Sequence, residues 1–184
     1  MAQLSKQQKF IVSELWILAW SASVQRAHVY DASAKHFGSR RRPEFRKAVI
    51  DFISNELLTY YLEKKCSEQQ IEEQHYKNIA SLIQFANQKK RGILGKYGYK
   101  YGVAQKLLNR MLKYLWCAGM IPEPPHCPVD RIVIDKTEYR GKAWTKICKE
   151  SEYRKIIKAI KELSKAKNMS VPQWELDLFR RRSQ

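Results

Sequence analysis

Apolar residues recur along this chain at helical spacing, and the pattern divides it into seven or so helices. Ser5 is placed to cap the first. Its periodicity runs to about Tyr30, with Phe10, Leu15, Leu18 and Ala22 on one face and Trp16 and Trp20 beside it. Residues 31–43 read as a loop with Gly38-Ser39 as its turn, and Pro43 suits the first turn of a second helix over 44–65. That helix turns Phe45, Val49, Phe52, Ile53, Leu57 and Tyr60 inward. Ser67 with Gln70 fits a capping box and opens a third helix to about Lys90. A fourth starts at Val103. It places Ala104, Leu108, Met111, Leu115 and Ala118 on one face and Lys106, Asn109, Arg110 and Lys113 on the opposite, polar one, until Gly119 stops it. A short helix or turn over 131–139, a connector over 142–147, a long basic helix capped by Ser151 and a last helix opened by Ser170 and Pro172 complete the chain. Strand-like alternation, repeats and low-complexity blocks are absent from the sequence. The predicted class is all-α: one domain over 1–184, built as a multi-helix, two-lobed bundle.

The stretch 92–134 departs from plain periodicity. Glycines 92, 95, 98 and 102 crowd into eleven residues, where positive φ costs a glycine nothing. They feed the N-terminus of the fourth helix, whose free N–H groups and dipole suit an anion. Lys96, Tyr97, Tyr99, Lys100, Tyr101 and Gly102 are placed there to hold a phosphate and rest rings on sugars, with Lys113 and Arg131 further along. Arg40, Arg41 and Arg42 form a second cationic patch. Prolines 122, 124, 125 and 128 then stiffen a loop that delivers Asp130 to the next apolar run.

Charge changes the picture most. The 184 residues hold 35 Lys and Arg against 18 Asp and Glu, a formal charge of +17, which suits a polyanionic partner. Hydrophobic content of 44% excludes a disordered chain. The run 10–20 is short and carries Glu14, so neither a membrane span nor a secretory signal is expected, and the location expected is cytoplasmic. Cys66, Cys117, Cys127 and Cys148 form no close pair, so reduced thiols are expected, with no metal and no cofactor.

Read in order, these features resemble the helix-hairpin-helix DNA glycosylases: helix, glycine hairpin, lysine early in the next helix, then Pro128-Val129-Asp130 before the branched run Arg131-Ile132-Val133-Ile134. Gln105-Lys106 with Lys113 two turns on is most similar to the archaeal 8-oxoguanine glycosylases, although GKYGYKYG stands where the superfamily has L-P-G-[VI]-G. The element spans 88–134, with Gln105 among its DNA-contacting residues. The resemblance implies a monomeric enzyme that excises a damaged or modified base from double-stranded DNA, with the base flipped out. Oxidised guanine is the base the archaeal branch implies; a hypermodified phage base is the other expectation.

The chemistry needs what these residues supply. A carboxylate beneath the sugar stabilises the positive charge that develops as the glycosidic bond breaks, a role for Asp130. An amine nucleophile must be neutral, and burial near other cations lowers a lysine pKa, a role for Lys106 with Lys113 as competitor. Glu14 and Asp31 are alternative acids framed by no motif. Trp16, Trp20, His28, Tyr30, His126 and Trp144 are candidate walls of a base pocket. Asp130 also fits a simple helix cap and Lys106 a simple phosphate contact. The same features therefore also describe a non-catalytic helical nucleic-acid-binding protein.

Overall fold

The computed structural model describes residues 4–31, 38–62, 67–89 and 92–178, with the side chains of 38–40 outside that description. Among the described residues the protein is all-α. Its seven α-helices are α1 (Lys6–Trp20), α2 (Gly38–Phe52), α3 (Glu68–Gln88), α4 (Tyr101–Cys117), α5 (Arg131–Ile134), α6 (Glu150–Lys165) and α7 (Val171–Leu178). One isolated antiparallel bridge, Tyr30 to Leu94, ties the end of the first helical segment to the glycine turn. Among the described residues no helix is long and apolar enough to cross a membrane.

Helix starts follow local chemistry. Ser5 and Ser67 both form full capping boxes, with Gln8 and Gln70 reaching back to the cap backbone. Ser170 accepts from the Gln173 amide at 3.3 Å. Ser151 does not cap α6. The helix begins at Glu150, and the Glu152 carboxylate accepts from the Cys148 and Lys149 amides instead.

Three boundaries differ from the periodicity. The first helix does not run on to Tyr30; it gives way at Ser21–Gln25 to a π-helical turn. The second starts inside the expected loop, at Gly38, so Pro43 lies within it and not in its first turn. It ends at Phe52 and passes through a second π turn, Ile53–Leu57, into a 3-10 turn, Leu58–Tyr61. A π turn inserts a residue without breaking the rod, so local periodicity conceals it. The faces shift accordingly. Trp16, Ala19 and Trp20 are the buried side of α1, while Phe10, Leu18 and, on the second segment, Tyr60 are exposed.

Helix α4 is the centre of the packing. The helices α1, α3 and α6, the first π turn and the 3-10 turn Trp144–Lys146 all lie against it. Its polar face is therefore not solvated: Gln105, Lys106, Asn109 and Lys113 are buried along with Leu108 and Met111. Of the three glycines before it, Gly92 and Gly98 adopt positive φ. Gly102 is required for another reason. A Cβ there would lie 1.9 Å from the Trp144 carbonyl oxygen, so only glycine lets the 3-10 turn close on α4.

Candidate active site

The glycine turn is fixed from behind. The Asn87 side chain at the end of α3 accepts from the Tyr99 amide at 2.9 Å and donates to the Tyr99 carbonyl at 3.2 Å. The turn 95–98 closes with Gly98 N donating to Gly95 O. This leaves Lys96, Tyr97 and Lys100 outward, with both ammonium groups within 5 Å of the Tyr97 ring centre. Tyr99, Tyr101 and Gly102 are buried, which removes them as nucleic-acid contacts. The N-terminus of α4 is not open to an anion at Gly102 either, because that amide donates to Ile147 O at 2.9 Å.

One turn into α4, the Gln105 amide holds the backbone of Val129. Its Nε2 donates to Val129 O at 2.7 Å and to Gly102 O at 2.9 Å, and Val129 N donates to its Oε1 at 3.1 Å. Being wholly buried, Gln105 is a brace and not a DNA contact. The next residue after Val129, Asp130, is the N-cap of α5, its Oδ1 accepting from Ile132 N at 3.0 Å and Val133 N at 3.4 Å. Its Oδ2 points elsewhere, 3.4 Å from Arg110 Nη2 and 3.8 Å from Lys106 Nζ.

Lys106 is 3% exposed, and its Nζ sits 4.0 Å from the centre of the Trp144 ring. Burial lowers its pKa to about 8, with Arg110 and Arg26 acting in the same direction and Asp130 opposing them. At neutral pH about a tenth of such a lysine is unprotonated, against well under a thousandth for an ordinary one. Lys113, the competitor, is committed elsewhere: its Nζ lies 2.5 Å from Glu175 Oε2 with both side chains buried. It is therefore not a DNA contact. Burial raises the Glu175 pKa although Lys113 pulls the other way.

Asp130, Arg110 and Glu175 open onto a pocket of about 360 Å³ between the first π turn, α4, α5 and α7, with Arg26, Tyr114 and Ile132 at its sides. This is where the acid meets solvent. The four aromatic residues Trp16, Trp20, His28 and Tyr30 do converge, but on a different cavity, a groove of about 1000 Å³ between α1 and α2. The two cavities share no lining residue and open from different faces of α1.

His126 belongs to neither cavity. It is fully buried, with Nδ1 3.0 Å from Tyr153 Oη and Nε2 3.0 Å from Glu72 Oε1. Burial lowers its pKa, so the neutral ring donates to Glu72 and accepts from Tyr153, whose oxygen takes the Asn109 amide at 2.9 Å. Asn109 in turn reaches Gln105 Oε1 at 3.3 Å. A buried chain of polar groups thus runs from Glu72, held near pKa 2 by His126 and Lys161, through to the brace on Val129. The expectation that His126 meets a base is overturned; it supports the loop from inside.

Of the remaining expectations, Arg131 is exposed on α5, Arg41 is exposed on α2 and Arg42 lies over the Tyr30 ring. The Arg40 side chain and Cys66 lie outside the described residues. Glu14 is exposed and lines neither cavity, and neither does Asp31, whose amide donates to Ile93 O. Among the described residues no three His, Cys, Asp or Glu side chains gather as a metal site requires. The sequence reading missed Arg110 and Glu175 as site residues. Arg110 had a local signal, one helical turn from Lys106; Glu175, far along the chain from Asp130, had none. Protein-family models, curated proteins and solved structures offer no match to this chain.

Proposed function

We propose that this protein is a DNA N-glycosylase that excises a damaged or modified base, with Lys106 as nucleophile and Asp130 as the carboxylate beside the sugar. The observation that carries the reading is a buried lysine of depressed pKa held 3.8 Å from a carboxylate that lines a pocket of about 360 Å³. An inert surface lysine requires neither the burial nor the pocket. Neutral Lys106 Nζ attacks C1′ as the C1′–N bond breaks, and the bonding pair leaves with the base, which takes up a proton from water. Asp130 Oδ2 stabilises the charge developing on the sugar and accepts the proton released by the alkylated amine. Ring opening then leaves an iminium, from which lyase chemistry proceeds. Arg110 orients Asp130, and Glu175 with Arg26 offers hydrogen-bonding groups to the base.

DNA is the substrate that a charge of +17 favours, with Lys96, Tyr97 and Lys100 on the helix-hairpin-helix-like turn and Arg131 on α5 as phosphate contacts. The enzyme acts as a cytoplasmic monomer in this reading, on oxidised guanine or a hypermodified phage base. Borohydride should trap wild-type protein, but not Lys106→Gln, on DNA containing the substrate base, and Asp130→Asn should bind that DNA without forming abasic sites. A screen of oxidised and phage DNAs identifies the base. A second reading, a non-catalytic binder, is favoured by Asp130 capping α5 while paired with Arg110. It prevails if no DNA in the screen acquires abasic sites and Asp130→Asn loses only stability.

A further inference from the structure

The groove between α1 and α2 encloses about 1000 Å³, against 360 Å³ at Asp130. Its floor is aromatic. Trp16 and Trp20 are buried in the core, and Tyr30, Ile17 and Ile50 complete the surface. Its charged lining is entirely cationic: Arg42, Arg46 and Lys47, with His28 beside them and no carboxylate among the described lining residues.

Two of these cations lack counter-charges among the described residues. Lys47 is neutralised by Asp51 one turn along α2. Arg46 makes no ion pair there; its guanidinium is held over the Trp20 ring at 5.8 Å. Arg42 lies 4.8 Å over the Tyr30 ring, its Nη2 donates to the Asp31 carbonyl at 3.4 Å, and its buried Nε has no acceptor among the described residues. The two rings that carry these guanidinium groups, Tyr30 and Trp20, line the same groove as the groups themselves.

We propose that this groove is a second nucleotide-binding site, taking the base of an unpaired nucleotide against its aromatic floor and the adjoining phosphate on Arg42 and Arg46. A flat ring beside a phosphate matches the two halves of the lining, and every base offers a π-face, so the site is tolerant of sequence. Such a site is independent of the glycosylase reading: neither Lys106 nor Asp130 lines the groove, and the groove shares no lining residue with the pocket at Asp130. The groove instead holds a neighbouring nucleotide of a strand opened around the site, or a free nucleotide.

The test measures anisotropy of labelled dT12 against wild type, Arg42→Gln/Arg46→Gln, Ile17→Glu and Phe10→Glu. Ile17 and Phe10 are both exposed on α1, at 48% and 63%, but only Ile17 lines the groove. The arginine double variant should bind dT12 at least tenfold more weakly, with a log–log salt slope shallower by about 0.7 for each phosphate it no longer neutralises. Ile17→Glu should bind more weakly than Phe10→Glu, which carries the same added charge. Equal affinities for these two, or an arginine variant that binds as wild type, overturn the proposal. Displacement of dT12 by millimolar thymidine 5′-monophosphate identifies a free nucleotide as sufficient, and displacement by oligonucleotides alone identifies a strand. Inorganic phosphate displacing as well as the nucleotide overturns the role of the floor. Failure of the glycosylase reading looks different: no abasic sites and no trapping, with arginine-dependent dT12 binding intact.

Discussion

Replacing Asp130 by Asn should depress the Lys106 pKa below its value of about 8. The carboxylate is the strongest influence keeping that amine charged against burial. At the observed 3.8 Å, two unit charges at an effective dielectric of about 20 interact by roughly 4 kcal/mol, or about three pKa units. Asp130 shares its Oδ2 with Arg110 at 3.4 Å and remains 18% exposed, so the delivered shift is smaller, about one unit. Arg110→Gln should act oppositely, because it removes a cation that lowers the lysine pKa. The assay is a pH titration of ¹³C-labelled lysine side chains by NMR, with Lys106 assigned by its loss in Lys106→Gln. The expected midpoints are about 8 in wild type, lower in Asp130→Asn and higher in Arg110→Gln. A wild-type midpoint near the ordinary value of about 10.4, or a rise in Asp130→Asn, refutes the reasoning. With the folded pKa below the unfolded one, the unfolded chain binds the extra proton between about pH 8 and 10.4. Unfolding free energy therefore rises with pH in that window, by about 1.4 kcal/mol per unit from this group.

Gln105→Met, of similar volume, leaves the Val129 N–H and carbonyl unpaired, at about 1–3 kcal/mol for each buried group. Urea denaturation should show a loss of that order, and a loss under about 0.5 kcal/mol, within the range of ordinary surface substitutions, rules out the brace. Gly102→Ala drives a Cβ into the Trp144 carbonyl and should lower stability by about 1–3 kcal/mol or more while uncoupling the Trp144 ring from Lys106; unchanged Trp fluorescence and melting would count against the contact. His75 and His126 are buried with pKa values lowered by burial, so the unfolded chain takes up protons first as pH falls below about 6.5. Stability should drop there by up to about 1.4 kcal/mol per pH unit per histidine, and His126→Gln should flatten the decline. Lys96→Gln/Lys100→Gln should reduce the salt slope of duplex binding by about 0.9 for each phosphate left without its lysine, without altering borohydride trapping at saturating DNA.

Much of the architecture is written in local chemistry. Ser5 and Ser67 begin helices because a hydroxyl and a glutamine three residues on can satisfy the first amides, a relation visible within four letters. Lys106 and Asp130 are paired in the sequence only by the resemblance; their 3.8 Å approach is made by Gln105 holding the backbone of Val129. The burial of the polar side of α4 is not visible there either. A helix enclosed on all sides has the same amphipathic spelling as one half in water, and the partners that make its burial tolerable come from far along the chain. Trp144 covers Lys106, Tyr153 reaches Asn109 and Glu175 meets Lys113. The aromatic residues show the converse. Trp16, Trp20 and Tyr30 look like one wall of the site in sequence, yet they line a groove that shares no residue with the pocket holding Arg26 and Asp130.

The π turn after Trp20 makes the two halves of the first helical segment separately adjustable. In an unbroken α-helix, rotating Trp20 by one register step would carry Arg26 round with it. Here the extra residue at Ser21–Gln25 acts like a vernier between them. Loss of a single residue from this turn would restore a uniform helix and swing Arg26 by about 100°. Gln25, His28 and Tyr30 of the aromatic groove sit at or beyond the same turn, so that wall would be reset together with Arg26 in the smaller pocket. One insertion or deletion in this segment would thus retune both cavities at once, a change invisible to any comparison of residue types.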